Sequence, residues 1–144
     1  MISIGYWTGQ YKYDRAELQR TTSCNSTNFE IEITAINNNN FIGKVQDDLS
    51  TGGTEGIGEI RGKVSGEKIK FVKQMPILTV INPKNGTRKT FNKKHRKIYY
   101  QGVLLSDEKS ISGQWRLKFG FIWIWFIPIP VSSTKGTWTM MLKK

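Results

Sequence analysis

Residues 29–36 read FEIEITAI, a stretch in which apolar and polar side chains alternate. Phe29, Ile31 and Ile33 share one parity, and two glutamates occupy the other. Successive side chains of a β-strand point to opposite faces, so this alternation is typical of a strand with one buried and one solvated face. The stretch therefore predicts a half-buried strand of an antiparallel sheet.

The same period of two recurs along the chain, for example in EKIKFVKQM at residues 67–75 and SISGQWRLKF at residues 110–119. Segments rich in Gly, Asn, Asp and Ser separate the alternating stretches and indicate hairpin turns. Hairpin-linked antiparallel strands favour an all-β, closed up-and-down barrel, and a two-sheet β-sandwich is the alternative. We expect eight strands, at residues 4–14, 28–36, 40–48, 56–65, 67–75, 95–105, 110–121 and 134–143.

The chain length and composition predict one domain, covering residues 1–144. The chain begins with strand-like sequence rather than a basic and then apolar leader, and its one cysteine, Cys24, has no internal partner. These features favour a cytoplasmic location. The longest uncharged stretch, residues 119–134, is shorter than the roughly 20 residues that a membrane-spanning helix needs.

The net charge of +11 is concentrated in the middle of the sequence. Residues 61–100 contain twelve Lys and Arg but one acid, Glu67, and the densest cluster is KNGTRKTFNKKHRK at residues 84–97. Such a cluster favours partners that carry negative charge, including an anionic membrane surface.

Two motifs resemble those of known barrels. GYW at residues 5–7 resembles the G-x-W that opens the first strand of lipocalins, fatty-acid-binding proteins and avidins. SISGQWRL around Trp115 is similar to the seventh avidin strand, whose tryptophan lines the ligand pocket. The resemblance implies a calycin-type barrel that binds a small molecule. Seven aromatic residues on the inward parity either line such a pocket or fill a solid core: Trp7, Tyr11, Phe41, Phe71, Tyr100, Trp115 and Trp138.

The residues that carry enzyme chemistry are sparse. The one histidine, His95, lies within KKHRK and is predicted to be a solvated surface residue. Asp47, Asp48 and Glu55 flank LSTGGT, a pattern more typical of a polar hairpin turn than of a calcium loop. We therefore predict no catalytic residue, no bound metal and no cofactor, and hence a protein that is not an enzyme.

Residues 119–131, FGFIWIWFIPIPV, form the most unusual segment of the sequence. Four of its aromatic residues continue the inward parity of Trp115, namely Phe119, Phe121, Trp123 and Trp125. This predicts a seventh strand that projects beyond the barrel until Pro128 and Pro130 stop sheet pairing. In an up-and-down barrel, alternate connections share one end. The connection at residues 76–94 should therefore meet the connection at residues 122–133 on one rim.

This rim combines apolar side chains with cations and has three interpretations: a second small core or lid, a face for a membrane or apolar ligand, or a protein interface that includes self-association. Nucleic acid is a fourth and weaker interpretation, and a nucleic-acid partner is not expected, because Trp123 and Trp125 lack interleaved cations. We predict binding of a small apolar or amphiphilic ligand at the rim; the alternative is a module that docks on a protein or membrane. The candidate rim residues are Phe121, Trp123, Trp125, Phe126, Lys89, Lys93, Lys94 and Arg96.

Overall fold

The computed structural model describes residues 2–20, 24–81, 87–131 and 133–143. The segments in which apolar and polar residues alternate form antiparallel strands. A 3₁₀ turn at Leu49–Thr51 follows the third strand, and no helix within the described ranges is long and apolar enough to cross a membrane. The described elements, in chain order, are β1 (Gly5–Tyr13), α1 (Ala16–Arg20), β2 (Thr27–Asn37), β3 (Asn40–Asp47), β4 (Ile57–Ser65), β5 (Lys68–Gln74), β6 (Leu78–Ile81), β7 (Arg88–Phe91), β8 (Ile98–Leu104), β9 (Ser110–Leu117), β10 (Gly120–Ile124), β11 (Ile127–Val131) and β12 (Thr134–Leu142).

Eight of these strands close into a barrel in the order β1-β12-β9-β8-β5-β4-β3-β2. Every neighbouring pair is antiparallel, and each barrel strand lies beside the one that precedes it among the barrel strands. The predicted eight-stranded up-and-down barrel is therefore confirmed, and the alternative two-sheet sandwich is not formed. Closure gives every barrel strand two partners, which removes exposed sheet edges.

The expected barrel strands correspond to observed strands, but the seventh was predicted too long. β9 ends at Leu117, which lies opposite Thr134, the first residue of β12. Beyond this pair, β12 offers no further residue with which β9 can pair. The chain instead begins a separate strand, β10, after Lys118 and Phe119.

Two hairpins are inserted in the connections that were predicted to lack paired strands. β6 pairs with β7 between β5 and β8, and β10 pairs with β11 between β9 and β12. The expectation that Pro128 and Pro130 stop pairing is wrong, because they lie opposite Trp123 and Phe121 in the β10–β11 register. Pro128 and Pro130 are two residues apart, so their ring nitrogens point to the same edge of β11. Proline lacks an N–H donor and is tolerated when this is the edge that has no partner strand.

The inward parity of the barrel strands forms one hydrophobic core. Close approach across this core depends on glycine at Gly62, where an added Cβ would lie 2.5 Å from atoms of both Phe41 and Phe71. Large rings thus occupy the space that the missing side chain leaves, as expected in a narrow barrel. The buried core residues include Ile31, Ile33, Val45, Ile60, Ile69, Met75, Ile111, Leu117 and Met140 together with the aromatic side chains described below.

Candidate functional site

The seven aromatic residues predicted to face the interior are all buried, and most of them contact one another. The rings of Phe71 and Tyr100 stack with centroids 4.7 Å apart, and Trp138 meets them edge-on at 5.4 and 5.5 Å. Tyr11 meets Trp115 edge-on at 5.9 Å. These side chains fill the middle of the barrel with ring-to-ring contacts.

The indole N–H groups of the core already have partners within the protein. Trp7 donates to the carbonyl oxygen of Ser3 at 3.1 Å, and Trp115 donates to that of Lys12 at 3.2 Å. Trp138 lies 3.1 Å from two backbone carbonyl oxygens. Buried polar groups are normally paired in this way, so the indoles tie the core to the backbone rather than present free donors to a ligand.

A buried ion pair lies near the end of the core that carries the two inserted hairpins. Nζ of Lys73 is 2.6 Å from Oδ1 of Asp47, and the two side chains are 2% and 1% exposed. The other carboxylate oxygen of Asp47 accepts hydrogen bonds from the Tyr11 hydroxyl at 3.2 Å and the Thr54 backbone N–H at 3.1 Å. Burial, followed by the nearby negative charge of Asp47, raises the pKa of Tyr11 well above its ordinary value.

Sequence reasoning missed this pair, although the parity of residues 67–75 contained a signal for it. Lys73 has the same parity as the inward Ile69 and Phe71, so it faces the core. Asp47 was grouped with Asp48 in a polar turn, whereas only Asp48 caps that turn by accepting from the Ser50 backbone N–H at 3.0 Å. No set of three His, Cys, Asp or Glu side chains in the described part of the chain is placed to hold a metal ion.

His95 is buried, so its predicted position on the solvated surface is wrong. Its backbone N–H donates to the Met75 carbonyl oxygen at 2.9 Å, and its carbonyl oxygen accepts from the side chain of Gln74 at 3.0 Å. These bonds hold the segment against the end of β5. Burial is the main cause that lowers the pKa of His95, and the charge of Arg96 acts in the same direction.

Residues 119–131, here called the aromatic hairpin, extend from the barrel end between β9 and β12. The side chains of Phe121 and Trp123 are exposed, and the turn residues Trp125 and Phe126 are 86% and 92% exposed. Trp125 has a φ of 59°, a conformation uncommon for residues other than glycine, so the tip is a tight turn. The described aromatic side chains of this segment are therefore exposed to solvent.

The segment that contains Lys93 and Arg96 contacts the aromatic hairpin near its tip, at Trp123, and the chain just before the hairpin, at Lys118. The ammonium of Lys93 donates to the carbonyl oxygen of Trp123, and a guanidinium N–H of Arg96 donates to that of Lys118 at 3.2 Å. Burial lowers the pKa of Arg96. The other two rim cations predicted from sequence, Lys89 and Lys94, are exposed, and Lys84 lies outside the described residues.

Comparison with protein-family models, curated proteins and solved structures finds no match to this chain. The closed eight-stranded antiparallel barrel is compatible with a calycin-like barrel. The structure thus establishes the barrel architecture, and the candidate site has to be interpreted from its own geometry.

Proposed function

We propose that this protein is a non-enzymatic barrel that docks on an anionic membrane surface through the aromatic hairpin and the cations beside it. The observation that carries the proposal is the exposure of Trp125 and Phe126 at the tip of a hairpin separate from the barrel sheet. Contiguous exposed apolar side chains on a monomer commonly mark an interaction site. A two-stranded hairpin alone is marginally stable in water, so contact with a partner also favours it.

The composition of the hairpin and its surroundings supports a lipid surface as that partner. Tryptophan suits the boundary between headgroups and acyl chains because its ring is apolar and its N–H is polar. Lys93, Lys94 and Arg96 lie in the segment that contacts the hairpin, and Lys118 immediately precedes the hairpin. A cation near an anionic bilayer contributes roughly 1 kcal/mol to binding. The cytoplasmic leaflet is anionic, so a cytoplasmic location is part of the proposal.

The filled interior favours the rim over the barrel centre as the place where an amphiphile is bound. The resemblance to avidins and lipocalins implies a ligand between the inward-facing rings, but Phe71, Tyr100 and Trp138 occupy that space. The rim, by contrast, presents apolar and cationic groups to solvent together. The sequence predicted a small apolar or amphiphilic ligand, with docking on a protein or membrane as the alternative, and the proposal adopts the membrane alternative.

The proposal is tested by co-sedimentation with vesicles of neutral phosphatidylcholine and with vesicles that also contain phosphatidylserine. The wild type should bind the anionic vesicles more strongly, and Trp125→Ser/Phe126→Ser should abolish binding. Added salt should weaken the cationic part of the interaction, because the Debye length falls from about 10 Å at 0.1 M to about 3 Å at 1 M.

The matched control is Ile4→Ser/Leu105→Ser, which also replaces two exposed apolar side chains but at the opposite end of the barrel. It should bind vesicles like the wild type. Sedimentation velocity of the free protein distinguishes the competing protein interface. Absence of vesicle binding, combined with a wild-type dimer that becomes monomeric in Trp125→Ser/Phe126→Ser, would overturn the membrane proposal and assign the hairpin to self-association.

A further inference from the structure

The barrel wall formed by β4, β5, β8, β9 and β12 carries a second charged surface, distinct from the rim. Six of its exposed cations are here called the basic wall and are Arg61, Lys63, Lys70, Arg116, Lys118 and Lys135; the exposed Lys68 of β5, which lies opposite Val103, is not included. The outward positions of β5, β8, β9 and β12 contain no acidic residue, and those of β4 contain one, Glu59. The described residues form no ion pair with any of these six cations.

The strand register places like charges directly opposite one another on this wall. Lys63 is the cross-strand partner of Lys70, and Arg116 is the partner of Lys135. Like charges in such positions destabilise a sheet. A surface whose role was only to be solvated would not need these two pairs, and a bound anion would neutralise both.

Strands β2 and β3, together with the outward Glu59 of β4, show the arrangement expected of an ordinary solvated sheet. Lys44 on β3 has Glu32 as its partner on β2 and Glu59 as its partner on β4. Opposite charges alternate across these three strands and favour the sheet. The uneven distribution of charge is therefore a property of particular walls, beyond the net charge of +11.

The basic wall also contains groups that could contact more than a phosphate. Tyr99 is the cross-strand partner of both Val72 and Arg116. The Lys118 ammonium lies 4.6 Å from the centroid of the half-buried Tyr99 ring. Exposed amides of Gln101 and Gln114 are cross-strand partners in the adjacent row. These groups line a depression of 430 Å³ together with five of the six cations and one acidic residue, Asp14. That volume lies within the range of roughly 300–1,000 Å³ typical of small-ligand pockets.

We propose that the basic wall binds single-stranded nucleic acid, with its cations on the phosphates and with Tyr99, Gln101 and Gln114 available to unpaired bases. Phosphate contacts supply affinity, and aromatic rings and amides can reach base faces and edges only when the bases are unpaired. Five neighbouring strands span about 19 Å, since adjacent strands lie about 4.8 Å apart, which provides an extended track. The aromatic hairpin lacks interleaved cations, whereas this wall has them.

The test is fluorescence anisotropy with a labelled oligodeoxythymidylate of about 15 nucleotides. Affinity is measured between about 50 and 200 mM salt for the wild type and for Lys70→Gln/Arg116→Gln. Each phosphate contact on a single strand contributes about 0.7 to the slope of log affinity against log salt, so the double substitution should reduce the slope by about 1.4. Tyr99→Leu should weaken binding roughly tenfold with little change in slope.

The control is Lys44→Gln/Lys109→Gln, which removes the same charge from exposed positions outside the basic wall and should preserve the slope. A second wall variant, Lys63→Gln/Lys135→Gln, removes the other member of each like-charged pair and repeats the test if the first variant folds poorly. Trp125→Ser/Phe126→Ser should retain oligonucleotide binding, which separates this site from the proposed membrane face.

Three results would overturn the proposal. The first is that the wild type does not bind the oligonucleotide. The second is that the wall and control variants lose the same amount of slope of log affinity against log salt. The third is that the wall variants lose binding to phosphatidylserine vesicles but still bind the oligonucleotide. The second result would indicate attraction by net charge alone, and the third would assign the wall to lipid headgroups.

Discussion

The ammonium of Lys73 lies 2.6 Å from the carboxylate of Asp47 in the interior of the barrel, where neither side chain is more than 2% exposed. The pair joins β5 to the end of β3, two strands that are separated in the sheet by β4. Removing ions from water is costly, and their mutual attraction offsets this cost only when both partners are present. The pair is therefore expected to make the barrel sensitive to loss of either charge alone.

Lys73→Met should lower the free energy of unfolding by about 3–5 kcal/mol, because it leaves the Asp47 carboxylate buried without its counterion. Lys73→Met/Asp47→Asn should recover part of this loss, since the remaining amide is neutral and can still bond to Tyr11 or Thr54. Urea denaturation measures both effects. If the stability lost by the double variant equals the sum of the losses measured for Lys73→Met and Asp47→Asn alone, the two charges do not interact in this way.

His95 should make the protein less stable in mild acid. Its pKa is lowered in the folded state, chiefly by burial, from an ordinary value of 6.5. The unfolded chain then binds the proton more readily, so the free energy of unfolding falls as the pH drops below about 6.5 toward the folded-state pKa. His95→Gln should show a smaller difference between the unfolding free energies at about pH 7.5 and pH 5.5. An unchanged difference would exclude His95 as the cause.

The packed interior predicts unequal costs for two tryptophan substitutions. Trp138→Ala removes a buried ring that contacts Phe71 and Tyr100 and should cost about 3–5 kcal/mol of stability. Trp125→Ala, at the exposed hairpin tip, should change stability by about 0.5 kcal/mol or less. Chemical denaturation provides the comparison.

Dye binding offers a separate check on the interior. An environment-sensitive apolar dye should not bind saturably to the Trp125→Ser/Phe126→Ser variant, from which the exposed tip has been removed. A hollow barrel would instead be indicated if the dye binds saturably and if Trp115→Ala or Trp138→Ala changes the dye affinity with little loss of protein stability.

The alternation of apolar and polar residues was sufficient to predict the barrel strands. It fixes which side chains face the core, because a shift of one residue would move a whole set of apolar side chains to solvent. The same parity placed Trp7, Phe71 and Trp138 in the interior. It did not predict whether the rings leave a cavity, since that depends on contacts between residues distant in sequence. Lys73 also has the inward parity, but the sequence analysis did not predict its burial, because a charged side chain is rarely found in a core.

Other features depend on pairing that a local pattern does not contain. Residues 119–131 continue the parity of β9, so the sequence pattern does not show where β9 ends. The end is set by the pairing of Leu117 with Thr134, the first residue of β12, and the chain beyond it forms a separate hairpin. Like-charged partners on the basic wall come from different strands, so their opposition depends on the register. His95 lies within a cationic sequence and is buried by backbone bonds to the end of β5.

Quenching of tryptophan fluorescence by brominated lipid tests the proposed membrane docking most directly. Bromine on the acyl chains of anionic vesicles should quench Trp123 and Trp125, because docking places the hairpin tip at the boundary of the acyl chains. Trp123→Phe/Trp125→Phe should still sediment with the vesicles but lose the quenching, since Trp7, Trp115 and Trp138 remain within the barrel. Vesicle binding without bromine quenching, or with equal quenching in this variant, would contradict insertion of the aromatic hairpin.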